Sequence, residues 1–137
     1  MSRELTVGAT LPEGEFTVDA WRMKVFALLM ADPNPVHFDP QYVASLGQGD
    51  RPVNQGTLTV ALPLNTLIAW LAGDDASARI AHVRCRFTGS AHAGDTVRTG
   101  GRVAAVDPDG NATVDLWVDG ADGARILTGS ALVRPPS

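Results

Sequence analysis

Gly56-Thr57-Leu58-Thr59-Val60-Ala61-Leu62-Pro63-Leu64-Asn65-Thr66-Leu67-Ile68-Ala69-Trp70-Leu71 contains the longest apolar region of the chain, Leu58 to Leu71. Thr59, Pro63, Asn65 and Thr66 interrupt it. The run therefore reads as a helix buried in a protein core, not as a membrane span, which needs about 20 apolar residues. An interior proline costs about 3 kcal/mol through one lost backbone bond and a clash with the preceding turn. Pro63 thus predicts a kink or a late helix start, with the Thr59 hydroxyl near enough to satisfy part of the freed carbonyl. A helix this apolar needs another layer to cover it.

That layer lies downstream. After Gly73-Asp74-Asp75 the texture changes, and Arg79–Thr88, Thr96–Val106, Ala112–Val118 and Arg125–Val133 read as four strands. Gly-Asp, Asp-Pro-Asp-Gly-Asn and Asp-Gly-Ala-Asp-Gly separate them, all good turn sequences. Thr113-Val114-Asp115-Leu116-Trp117-Val118 alternates apolar with partly polar positions, as expected of an antiparallel sheet with one covered face. The covering element is the Gly56 helix. An antiparallel β-sheet wrapped around one central α-helix is an α+β arrangement, the hot-dog architecture.

Upstream of the helix the chain is mostly helical. Glu15 to Val18 alternate like a short strand, and Asp19 caps a helix whose apolar positions Trp21, Val25, Leu28 and Leu29 recur at helical spacing. That helix ends at Asp32-Pro33-Asn34-Pro35-Val36-His37-Phe38-Asp39-Pro40. Each proline confines its own φ and pushes the preceding residue toward extended geometry, so Asp32 and Asn34 are held out of helical conformation. A carboxylate and an imidazole on a stiffened loop can hold a water between two proton-exchanging groups, as hydration or dehydration of a double bond requires. The same Asp32 also suits a turn former bonding nearby backbone, and Asn34 is expected to tie the loop together. Asp39 caps a short helix from Pro40 through Leu46, which Gly47 and Gly49 stop.

Composition bounds the rest. The 137 residues, 45% hydrophobic, suit one domain over residues 1–137 with a packed core. A net charge of −4 leaves no basic field for a phosphate backbone, so no nucleic-acid partner is expected, and no membrane partner either. The opening residues lack the apolar run and cleavage site of a secretion signal, and with one cysteine this points to a cytoplasmic protein. Cys85 alternates with arginines and reads as a small core residue; His82 and His92 have no neighbours at zinc-ligand spacing, so no metal site is expected.

Three landmarks then resemble one family in order. Met30-Ala31-Asp32-Pro33-Asn34-Pro35-Val36-His37-Phe38-Asp39 is similar to the hydratase motif Ser-Gly-Asp-x-Asn-Pro-hydrophobic-His-x-Asp of MaoC-type dehydratases. Arg51-Pro52-Val53-Asn54-Gln55-Gly56-Thr57 resembles that family's Arg-Pro-hydrophobic-x-His-Gly-Met, and Arg86-Phe87 followed by Gly94-Asp95 resembles its later Arg-Phe and Gly-Asp. The first motif is fairly specific; the others gain weight from order and spacing.

The resemblance implies a hydro-lyase, an (R)-specific enoyl-thioester hydratase or 3-hydroxyacyl-thioester dehydratase. Asp32 and His37 would be its catalytic dyad, Gly56 the oxyanion donor and Asn34 a loop support. Its substrate would be an acyl thioester on CoA or acyl carrier protein, with no further cofactor. Arg51, Gln55, Arg84 and Arg86 are candidates for substrate binding, although scattered arginines are commonly solvated surface groups. A homodimer is expected, since open sheet edges are paired or covered in natural proteins. Met30-Ala31 in place of Ser-Gly, Gln55 in place of histidine, and Pro63 in the central helix depart from the pattern. They keep open a non-catalytic subunit that completes a second hot-dog chain and, more remotely, a hot-dog thioesterase.

Overall fold

The computed structural model describes residues 3–137. Its elements are β1 (Gly14–Thr17), α1 (Ala20–Leu29), a 3-10 turn (Pro35–His37), α2 (Pro40–Ser45), α3 (Gly56–Leu71), β2 (Ile80–Phe87), β3 (Thr96–Val106), β4 (Ala112–Asp119) and β5 (Arg125–Val133). The five strands form one sheet in the order β1-β3-β4-β5-β2, with every pair antiparallel. β1 and β2 are the two edges, so the helical stretch between them leaves one edge and returns at the other. The fold is the α+β hot-dog arrangement.

Register explains how the sheet wraps the helix. Val103, Val114, Ala131 and Val83 stand opposite one another across β3, β4, β5 and β2. The first three are buried and pack with Leu67, Trp70 and Leu71 from the C-terminal half of α3. A second cluster, Val97, Val118, Ile126 and Leu127, meets Leu58 and Leu62 from its N-terminal half. Each such valine or leucine contributes about 1.5–3 kcal/mol by leaving water, which makes this interface the main source of stability. A polar link crosses it: the Thr66 hydroxyl donates to Leu62 O at 3.2 Å and bonds the Thr99 hydroxyl at 3.0 Å.

Helix α3 runs continuously from Gly56 to Leu71 with Pro63 inside it, so the helix does not start late. The Thr59 hydroxyl does not serve the carbonyl freed by Pro63; it bonds Gln55 O one turn earlier at 3.2 Å. Core packing along both halves of the helix outweighs the local cost of the proline. Helix α1 is a second correction. Asp19 caps it as expected, accepting from Trp21 N at 2.8 Å, but Trp21, Val25, Leu28 and Leu29 face solvent while Met23 and Ala27 are buried. Tethers decide its rotation: Gln55 Nε2 donates to Met23 O at 2.8 Å and Asp32 N to Ala27 O at 2.9 Å. Small Ala27 allows the close approach, and the larger apolar side chains are left outside.

Two glycines let the sheet close. The Trp117 indole lies directly over Gly100, and a Cβ at Gly129 would sit 2.6 Å from Arg84 O on β2. A backbone atom cannot rotate away. Gly129→Ala should therefore cost about 1–3 kcal/mol of stability through a shifted β2–β5 pair, measured by urea unfolding against an exposed control such as Gln48→Ala.

Candidate active site

The catalytic-looking loop is built by short-range bonds. After α1 the chain turns sharply at Ala31, a non-glycine residue with φ of 50°, where the resembling family has glycine. The Asp32 carboxylate has two separate environments. Oδ1 accepts from Asn34 N at 3.1 Å, the turn-forming role, while Oδ2 lies 3.4 Å from His37 Nε2. Asn34 in turn accepts from Val36 N at 3.3 Å and starts the 3-10 turn that carries His37.

His37 is oriented by one backbone group. Its Nδ1 lies 2.7 Å from Val53 O, and a carbonyl can only accept, so Nδ1 carries the proton. In the neutral ring Nε2 then presents a lone pair toward Asp32. Val53 is gripped from both sides, because its N–H donates to Val36 O at 2.8 Å.

Residues 51–54 form a strap that holds Val53 in place. Ala93 N donates to Pro52 O at 2.9 Å and Asn54 N to Ala91 O at 2.8 Å, pairing the strap with the segment before β3. Arg51 Nη1 locks the far end, donating to Asp95 Oδ1 at 2.7 Å and Ala93 O at 2.9 Å. Burial by itself would raise the Asp95 carboxyl, but the His92 amide and the Arg51 guanidinium outweigh it and hold Asp95 below the usual carboxylate range.

The strap delivers the chain to α3. Gln55 occupies the N-cap without a side-chain cap bond, and among the described residues no group accepts from the Gly56 amide. Free N–H groups and the helix dipole make this terminus a place for developing negative charge. Asp32, His37, Gln55, Gly56, Thr57, Val60 and Phe87 line one cavity of about 470 Å³. Phe87 closes it from β2, its ring 3.2 Å from where a Gly56 Cβ would stand.

Other candidates are placed elsewhere. Arg84 and Arg86 project from the outer face of the sheet into a groove with Asp115, Trp117 and Arg125, away from the dyad cavity. Alternation dictates this, since Phe87 faces inward and its neighbour Arg86 must face out. Arg51 is committed to Asp95, and the Gln55 carboxamide is buried and donates to Met23 O. Val53, Asp95 and Phe87 escaped the sequence reading as site residues, although all three stood within its quoted landmarks. Burial pushes the Cys85 thiol up, away from the reactive thiolate. Among the described residues no three His, Cys, Asp or Glu side chains are grouped to hold a metal ion.

This geometry can be set beside known proteins. A profile of the MaoC like domain family matches residues 6–116. The chain belongs to that family. It is 30% identical over 116 residues to the enoyl-CoA hydratase ChsH3 of Mycobacterium tuberculosis, covering 77% of this chain and 35% of that protein. To 3-hydroxyacyl-thioester dehydratase Y of the same organism it is 33% identical over 97 residues, covering 71% of this chain and 32% of that one. It therefore spans about a third of the length of these curated relatives. The structure of an (R)-hydratase from A. caviae involved in PHA biosynthesis superposes with a TM-score of 0.86 at 28% identity, covering 98% of this chain and all of that one. The MaoC-like assignment fits the hot-dog sheet and the helix it encloses.

Two stability measurements test the local account. Ala31→Gly should stabilise by about 0.5–1 kcal/mol, because relief of the left-handed conformation exceeds the added unfolded-state entropy. Asp95→Asn should destabilise by about 1–2 kcal/mol at neutral pH. A carboxyl held low contributes fully above its unfolded value and loses that contribution as pH falls through its folded value. Urea unfolding curves of parent and variant should thus converge in acid, and a gap unchanged from neutral pH downward would disprove the role of this charge.

Proposed function

We propose that this chain is an (R)-specific enoyl-thioester hydratase that also runs in reverse as a 3-hydroxyacyl-thioester dehydratase, a hydro-lyase. The observation that carries the reading is the facing of Asp32 Oδ2 and His37 Nε2 at 3.4 Å, with Nδ1 committed to Val53 O. Two acceptors at that separation can share one water, each taking one of its hydrogens. As the water oxygen bonds Cβ of a 2-enoyl thioester, Nε2 takes a proton and the Val53 carbonyl supports the resulting imidazolium. Electrons move from the double bond onto the thioester oxygen, where the Gly56 N–H and the α3 terminus stabilise the enolate. A proton then returns to Cα. Elimination follows the same steps backward.

The thioester would be carried on CoA or an acyl carrier protein, and the chemistry calls for no other cofactor. A positioned dyad supports catalysis over the accessory-subunit reading. The open edges β1 and β2, with Phe87 exposed beside the cavity on β2, support a homodimer whose second chain covers one of them.

The test is hydration of crotonyl-CoA, followed by loss of enoyl absorbance, beside saturated acyl-CoAs followed by thiol release. Asp32→Asn and His37→Ala should each lower turnover by about two to four orders of magnitude, with the double variant far from additive. Thiol release without enoyl consumption would instead identify a thioesterase. Gly56→Pro deletes the donor and should cost about 2.7–4 kcal/mol in the transition state. Gly56→Ala keeps the N–H and serves as control. Full activity in a folded proline variant would show that another group polarises the carbonyl.

A further inference from the structure

Asp32 Oδ2 and His37 Nε2 stand 3.4 Å apart, and nothing in that pair fixes where the ring proton sits. A neutral imidazole can carry its proton on either nitrogen, and the choice follows the hydrogen bond that the other nitrogen makes. With the proton on Nδ1, bound to Val53 O at 2.7 Å, Nε2 offers a lone pair across from Asp32. With the proton on Nε2, the ring would donate straight to the carboxylate, and the place for a shared water would close. The reaction thus depends on where one carbonyl is held.

Two side chains hold it from a distance, and neither lines the dyad cavity. The Asp95 carboxylate spends its oxygens on two different segments. Oδ1 accepts from Arg51 Nη1 at 2.7 Å, on the strap, while Oδ2 accepts from His92 N at 3.0 Å, on the turn that leads into β3. His92 is also the residue with which Val53 forms an antiparallel bridge. The turn itself is fixed to the end of β1, where Asp95 O accepts from Val18 N and Gly94 N donates to Val18 O, both at 2.8 Å. A line of bonds therefore runs from the sheet through Asp95 to Arg51, two residues before Val53. The strap's backbone bonds are open to any sequence; this clasp is set by side chains and needs an acceptor at each oxygen. An asparagine amide turned either way would set N–H against N–H at one end. We propose that Arg51 and Asp95 are positioning residues that act through Val53 to keep the His37 proton on Nδ1, and so keep Nε2 ready to take a proton from water. The inference rests on the hydratase reading.

Two readouts test it. At about pH 8, where an ordinary imidazole is neutral, the ring-nitrogen NMR shifts of isotope-labelled protein tell which nitrogen of His37 bears the proton, and their loss in His37→Ala identifies them. The parent should show Nδ1–H. Asp95→Asn and Arg51→Gln, each confirmed folded by circular dichroism, should both move part of the ring population to Nε2–H. Each should lower kcat for crotonyl-CoA by about 10–100-fold with KM changed by less than about twofold. The double variant should fall no more than about twofold below the worse single one, since the pair acts as a unit. Asp119→Asn, which breaks the 2.9 Å pair with Arg125 on the outer face, controls for loss of an ion pair as such and should leave both readouts unchanged. Folded Asp95→Asn and Arg51→Gln proteins that keep Nδ1–H, or that change tautomer with kcat intact, would overturn the proposal. Equal loss of activity in Asp119→Asn would do the same. A parent that fails to hydrate crotonyl-CoA or the matching carrier-protein thioester would overturn the hydratase reading, while the nitrogen signals would still decide whether the clasp sets the ring.

Discussion

The peptide unit around Val53 is the constraint on which the site depends. Its N–H is taken by Val36 and its carbonyl by His37, so one residue fixes both the backbone and the ring of the Pro35–His37 turn. A side chain at this point could change rotamer; backbone held by the flanking Ala91 and Ala93 bonds cannot do so without breaking the strap. The imidazole is thereby kept in one tautomer without a carboxylate behind it. Asp32 is left free to face the other ring nitrogen, and Gly56 follows three residues after Val53 on the same rigid stretch. His37, Asp32 and the Gly56 amide are referenced to one short segment.

How legible this was depends on what each residue contributes. The strands and α3 could be read because their patterns have few alternatives: period-two alternation between glycine-rich turns, and a long apolar run with polar interruptions. Helix α1 could not be oriented that way. Trp21, Met23, Val25, Phe26, Ala27, Leu28 and Leu29 leave no single apolar stripe, and its rotation is set by bonds from Gln55 and Asp32. Hydrophobicity alone favoured the bulkier face; packing chose the smaller one.

At the site, Asp32 and His37 were readable through a motif whose prolines limit the backbone. Val53 was not, because it acts through peptide groups that every residue possesses. Asp32 had been weighed as turn former against catalyst; its Oδ1 takes the turn-forming bond, and its Oδ2 is left facing His37. The three arginines, candidates for substrate binding by charge, are set by tertiary context: Arg51 closes the strap, while strand parity sends Arg84 and Arg86 to the outer face.

The layout of the sheet also governs when the site can come into being. Gly14 on β1 pairs with Thr99 on β3, and Arg51 waits for Asp95, so neither contact can form until nearly three quarters of the chain has emerged during synthesis. Until then the apolar α3 has no sheet around it, and the turn bearing His37 has only its local bonds. High contact order of this kind slows folding and prolongs exposure of sticky surfaces. The facing of Asp32 and His37 is thus among the last features to mature, and a stalled or shortened nascent chain would carry the motif without the strap that holds it.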